Sequence, residues 1–148
     1  MDWPGDLIAI ILAVIFGSAI GMERELSSKA AGLRTNALIC LGAAVFTIIS
    51  REIGGQNDSI TRIAAQIVTG VGFLGAGAII QDRGGVHGLT TAATIWLVAS
   101  IGMACGAKFY ALAFIATLIA IGVLIGLAKI EKVIKRLRAA KKDNSTSQ

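Results

Sequence analysis

The sequence predicts an all-α, polytopic integral membrane protein of about five transmembrane helices, with the N-terminus outside and the C-terminus cytoplasmic. Three observations predict it. The 148 residues are 55% hydrophobic and only 16% charged, whereas soluble domains carry roughly a quarter charged residues. The charges cluster, leaving five uncharged stretches at 7–22, 35–50, 63–81, 84–107 and 109–128. With the N-terminus outside, Arg24, Lys29, Arg34, Arg83 and the seven basic residues of the tail fall on one side, against Arg51, Arg62 and Lys108 on the other. Such an excess marks the cytoplasmic face and requires an odd number of spans.

Each stretch is weighed against the roughly 20 apolar residues needed to cross ~30 Å of hydrocarbon. The first, 7–22, is long enough once it reaches back to Trp3 and Asp6 at the interface. A cleaved signal peptide is its alternative, but such peptides open on positive charge and this one opens on Asp2 and Asp6, so a retained span is favoured. The second, 35–50, needs residues 30–33 as well, which draws Arg34 to the boundary. Stretches 63–81, 84–107 and 109–128 suffice as they stand. The chain divides into a transmembrane domain, 1–128, and a basic tail, 129–148.

The tail supplies the net charge of +5, because residues 1–128 balance seven Lys/Arg with seven Asp/Glu. Its Ile130, Val133, Ile134 and Leu137 recur at helical spacing among Lys132, Lys135, Arg136 and Arg138. A basic amphipathic helix beside a span meets anionic lipid before it meets nucleic acid. Lipid is therefore the expected partner, with disorder from Asp143 onward.

Within the third stretch, "TGVGFLGAG" contains GVGFLG, with Gly70, Gly72 and Gly75 in the pattern of a dinucleotide-binding turn. That turn needs a preceding strand and an acid about 20 positions on. Here the flanks are helical in pattern, and the nearest downstream acid, Asp82, comes only ten residues after Gly72. Between membrane helices, small residues instead permit close backbone contact. Gln66, Thr69, Gly70, Phe73 and Gly77 share one helical face, and Gly17/Gly21, Gly102/Gly106 and Gly122/Gly126 form similar pairs. The expectation is a packing surface; its alternative is a loosened helix whose carbonyls face a cavity.

No nucleophile stands near a base, and the two cysteines, Cys40 and Cys105, lie 65 positions apart with only one histidine, His87. The reading is therefore not an enzyme, with no cofactor and no zinc or redox motif. Glu23, Arg24, Glu25 and Arg34 gather at the cytoplasmic ends of the first two stretches, so Glu23 or Glu25 is a candidate partner of Arg34, with separately solvated loop charges an equal alternative on spacing alone. Oxygen-seeking Mg²⁺ has only Glu23, Glu25 and Asp82 as candidate ligands. In "VHGLTTAATIW", His87, Thr91 and Thr94 share a face, as do Thr90 and Thr94. Interhelical glue is preferred for them over a ligand path.

Three blocks, at 21–44 ("GMERELSSKAAGLRTNALICLGAA"), 62–80 ("RIAAQIVTGVGFLGAGAII") and 86–106 ("VHGLTTAATIWLVASIGMACG"), together resemble the signature regions of the MgtC/SapB family. The resemblance covers about residues 7–128 and implies a bacterial inner-membrane protein of about five helices. It implies a link to growth at low Mg²⁺ and to survival in host phagocytes. It further implies a regulatory action through membrane partners, including the proton-translocating ATP synthase. The polar set carried over is Glu23, Arg24, Arg34, Thr35, Asn36, Asp58, Arg62, Gln66, Thr90, Thr91 and Trp96. The chain resembles the short SapB-like form without the soluble C-terminal domain.

Two functions follow as expectations. The first is a non-enzymatic regulator of Mg²⁺ homeostasis that acts by helix–helix contact. The second is a permease, for Mg²⁺ or another ion, in which Asn36, Gln66, Thr69, Thr90 and Thr94 line a path within a homo-oligomer.

Overall fold

The computed structural model describes residues 2–53, 59–82 and 85–146. Its elements run α1 (Trp3–Leu26), α2 (Leu33–Ile53), α3 (Ser59–Gly77), β1 (Ile80–Asp82), β2 (Gly85–His87), α4 (Leu89–Gly106) and α5 (Tyr110–Thr146). Four helices, α1, α2, α4 and the first part of α5, are long and apolar enough to cross a membrane. The fifth, α3, begins beyond the far end of α2 and finishes where α4 starts, so the five helices run up and down in alternation.

Local chemistry sets the ends. Asp2 caps α1 by accepting from the Gly5 N–H at 3.3 Å, and Pro4 sits in the first turn, where a missing N–H costs nothing. α1 closes with Ser28 N–H to Glu25 C=O and Lys29 N–H to Arg24 C=O; α4 closes with Lys108 N–H to Cys105 C=O and Phe109 N–H to Ala104 C=O. These are paired C-terminal closures that require a left-handed residue. Ser28 (φ 53°) and Lys108 (φ 65°) fill it without glycine, so the chain turns at points where the sequence carries no glycine signal.

α4 packs against all four other helices. It is apolar all round, as a central helix should be. Its seam with α2 is built on absent side chains. A Cβ at Gly102 would strike the Cys40 carbonyl, and one at Gly106 would lie 2.5 Å from the Ala44 carbonyl. Gly17 and Gly21 of α1 likewise approach Asn36, Cys40 and Leu33 of α2, their Cβ positions lying 2.7 and 2.8 Å from the nearest atoms. Phe16, Ile20, Cys40, Val98, Ile101 and Cys105 fill the space around these crossings, and Ile67 and Val71 of α3 join Ala43 and Ile95 in a second cluster. Both cysteines are free and buried.

The outer faces are hydrophobic. Phe73 is 80% exposed, and Leu38, Phe46, Leu112 and Ile119 are all exposed. Water does not tolerate so many large apolar groups on one small chain. Hydrocarbon does, and the protein is a membrane protein.

Two sequence expectations are corrected. The stretch 84–107 is not all helix: its start forms β2, which pairs antiparallel with β1 in the register Ile80↔His87 and Asp82↔Gly85. Gly88 then turns the chain into α4 at φ +87°, where a Cβ would strike the Ala78 carbonyl. The tail, expected to begin as a continuation of the fifth helix, is helical as far as Thr146, past the expected onset of disorder at Asp143.

Candidate functional site

Alternation brings the ends of α1, α4 and α5 together at one end of the bundle, beside the hairpin. There they enclose a recess of about 520 Å³ lined on its polar side by Arg24, Lys29, His87, Thr90, Thr91 and Glu131. Arg24 lies in the last turn of α1, and its side chain is only 4% exposed. A buried guanidinium needs a counter-charge, and the adjacent Glu23 supplies it, while the other Glu23 oxygen accepts from Ser27 Oγ at 2.8 Å. Glu25 folds over the turn instead and accepts the Leu33 N–H at 3.1 Å, placing a negative charge at the N-terminus of α2, where the helix dipole favours it. Asn36, fully buried, donates to the Ala31 and Gly32 carbonyls at 2.6 and 2.9 Å and so fixes the same turn.

This geometry pairs Arg34 with neither glutamate. Glu23 is taken by a cation more deeply buried than Arg34, Glu25 is taken by backbone, and Arg34 is exposed without an ion pair among the described residues. The same commitments bear on Mg²⁺. Glu23 and Glu25 face protein donors, and the described residues contain no cluster of three or more His, Cys, Asp or Glu. The side chain of Asp82 lies outside the described residues.

The other members of the expected set are dispersed. Thr94 Oγ1 donates to the Thr90 carbonyl at 2.8 Å and Thr69 Oγ1 to the Ala65 carbonyl at 3.1 Å, so both hydroxyls are bonded within their own helices. Gln66 lines a groove between α2 and α3, whereas Asn36 is locked in the α1–α2 turn and Thr90 lies at the far recess. The five residues of the expected ion path do not converge on one cavity. Thr35 and Trp96 are exposed. Asp58 and the side chain of Arg62 lie outside the described residues.

The glycines divide sharply. Gly75 makes ordinary contact with Ala92, its Cβ position lying 3.6 Å from the Ala92 carbonyl, while Gly70, Gly72 and Gly77 have nothing within 4 Å. Gly122 and Gly126 are equally open. The close-approach faces used within the chain are those of Gly17, Gly21, Gly102 and Gly106. The α3 stripe is left free along the groove of about 490 Å³ lined by Leu38, Gly42, Phe46, Gln66, Gly70 and Leu74.

Sequence reasoning missed a second polar cluster at the opposite end. Asp6, buried in the first turn of α1, pairs with Arg51 from the end of α2, and Arg51 also donates to the Gly106 carbonyl at 3.0 Å. Lys108 pairs with Asp2 at 2.6 Å and lies 3.8 Å from Asp6, and Tyr110 Oη donates to the Gly5 carbonyl at 3.0 Å. The cluster ties the starts of α1 and α5 to the ends of α2 and α4. The Lys108 ammonium holds the Asp2 carboxyl below its usual range, and Asp2 in turn raises Lys108. Stability from a lowered carboxyl is present above its unfolded pKa and lost as pH falls through the folded one; for a raised lysine it is lost as pH rises through the folded value. Asp2→Asn is therefore expected to lower the melting temperature slightly at neutral pH. Its difference from wild type should shrink as pH falls below the ordinary carboxylate range and through the lowered Asp2 value, as a thermal melt series in detergent will show.

Comparison with known proteins agrees with this architecture. Residues 10–133 match the MgtC family. A protein named MgtC from Salmonella typhimurium (strain LT2) is 48% identical over 113 residues, covering 76% of this chain and 48% of the relative. One of the same name from Brucella abortus (strain 2308) is 45% identical over 123 residues, covering 83% and 51%. An uncharacterised Synechocystis protein is 39% identical over 134 residues, covering 90% and 57%. The chain thus spans about half the length of these relatives, and no solved structure matches it. The match takes in most of the chain, and the chain belongs to the MgtC family.

Proposed function

We propose that this protein is a regulatory protein of the bacterial inner membrane, linked to Mg²⁺ homeostasis, that acts by receiving a transmembrane helix of a partner in the α2–α3 groove. The observation that carries the reading is the contrast among the glycines. The four at the helix crossings are packed too tightly to admit a Cβ, while Gly70 opens onto a groove with nothing within 4 Å. Lipid would satisfy the apolar groove but not Gln66, an exposed amide on α3 without a hydrogen bond among the described residues. In hydrocarbon such a group favours a partner helix that offers it a polar side chain. The excess of basic residues on the Arg24 side supports a cytoplasmic position for that end, and the charge of the α5 tail favours anionic lipid. Among partners, the family resemblance implies the proton-translocating ATP synthase.

A photo-crosslinker at position 70 tests this in living cells under Mg²⁺ limitation. Specific capture of one membrane protein is expected. Gly70→Leu, which fills the groove without touching the chain's own packing, should reduce its co-purification by about tenfold or more. Saturable Mg²⁺ flux in sealed vesicles that disappears in Gln66→Leu would overturn the reading in favour of a permease.

A further inference from the structure

The recess at the Arg24 end contains more hydrogen-bond donors than its protein partners use. Thr91 is 5% exposed and lines the recess, and its hydroxyl makes no hydrogen bond among the described residues. α4 begins there on Gly88, which has no side chain to cap it, and its first intrahelical bond is Ala92 N–H to the Gly88 carbonyl. The N–H groups of Leu89, Thr90 and Thr91 therefore lack helical acceptors. Above them stand the guanidinium of Arg24 and the ammonium of Lys29, which forms no ion pair among the described residues. Glu131 is the one carboxylate among the lining residues, and Glu23 holds the Arg24 guanidinium, so Lys29 is the cation left without an ion pair among the described residues.

We propose that this recess binds a phosphate group, and that the ligand presenting it is an anionic phospholipid headgroup or a free phosphate. Backbone N–H groups at a helix start, two hydroxyls and two cations match the several acceptor oxygens and negative charge of phosphate. They offer little to a cation. The opposite wall, built from Val123, Leu124 and Leu127 of α5, is apolar. Such a wall suits the acyl chain of a lipid whose headgroup sits in the recess. The site is separate from the α2–α3 groove and shares only Glu131 with the tail, so it does not depend on how the groove acts.

Native mass spectrometry of the full-length protein in detergent, with phosphatidylglycerol or neutral phosphatidylcholine added, tests the lipid source. Thermal melts with added inorganic phosphate test the free anion. Thr91→Val keeps the side-chain shape and removes the hydroxyl, Thr91→Ser restores a hydroxyl, and Lys29→Gln removes a charge from an exposed turn. All three leave the tail intact. A lipid site predicts that phosphatidylglycerol binding falls about tenfold in Thr91→Val and in Lys29→Gln but persists in Thr91→Ser. A free-phosphate site predicts the same ranking in phosphate protection, with phosphatidylglycerol bound alike by all variants. If Thr91→Val and Lys29→Gln bind both ligands as wild type does, the proposal is overturned. Should Thr91→Val fail to fold, Lys29→Gln decides alone.

Discussion

Arg51→Ala is expected to destabilise the detergent-solubilised protein by about 3 kcal/mol, at the lower end of the range for breaking a buried ion pair. The size follows from what is left behind. The Asp6 side chain is 4% exposed, and its Oδ2 has no hydrogen-bond partner, so Arg51 on Oδ1 is its main compensation. Lys108, 3.8 Å away, is already held by Asp2 at 2.6 Å. Arg51 is 28% exposed, which moderates the loss, but the substitution also frees the Gly106 carbonyl at the end of α4. Asp6→Asn combined with Arg51→Ala removes the stranded charge and should recover a large part of the stability. A double-mutant cycle by thermal or denaturant unfolding measures the coupling. Equality of the double variant with the sum of the singles would show that the two residues are not partners in the folded state.

The case of Arg51 also shows where a linear sequence stops being legible. Five uncharged stretches announce five helices because hydrocarbon sets a minimum length, and that reading holds for α1, α2, α4 and α5 by composition. The glycine pairs at 17/21 and 102/106 were readable for the same reason, since without a hydrophobic drive between helices a small residue at i and i+4 has few other uses. Asp6 and Arg51 were not readable as a pair. They stand 45 positions apart, and only the up-and-down course of α1 and α2 makes them neighbours. The hairpin at Ile80–His87 was hidden by its lack of charge, and the ends of α1 and α4 by Ser28 and Lys108 doing what glycine usually does. Glu23 and Arg34 failed as a pair for a local reason, because a buried Arg24 one residue away from Glu23 outcompetes an exposed cation on the next helix. Of the site, the sequence yielded Arg24, Thr90 and Thr91 individually. It could not show that they share one recess with Lys29, His87 and Glu131, which arrive from the α1–α2 turn, the hairpin and α5.

Gly102→Ala is expected to destabilise the fold by roughly 2 kcal/mol, although glycine to alanine within a helix ordinarily stabilises by about 0.5–1 kcal/mol. Two effects compete. Alanine reduces the backbone freedom lost on folding and gains helix propensity. Against this, its Cβ at position 102 would strike the Cys40 carbonyl and lie 2.9 Å from the Ala43 side chain. Neither obstacle is the tip of a flexible chain, so α2 and α4 must separate, and tightly packed interiors relax only in part. The steric term wins here. Gly122→Ala on α5 is the matched control, because nothing lies within 4 Å of its Cβ position and the propensity term acts alone. Unfolding in detergent should move the two variants in opposite directions. The α2–α4 seam also sets the distance from Arg51 to the Gly106 carbonyl, so widening it should loosen the Asp6 cluster as well. Gly102→Ala and Arg51→Ala together should then cost less than their sum. If Gly102→Ala instead proved as stable as Gly122→Ala, the two helices would not be in backbone contact, and the four tightly packed glycines would lose their role as the framework of the bundle.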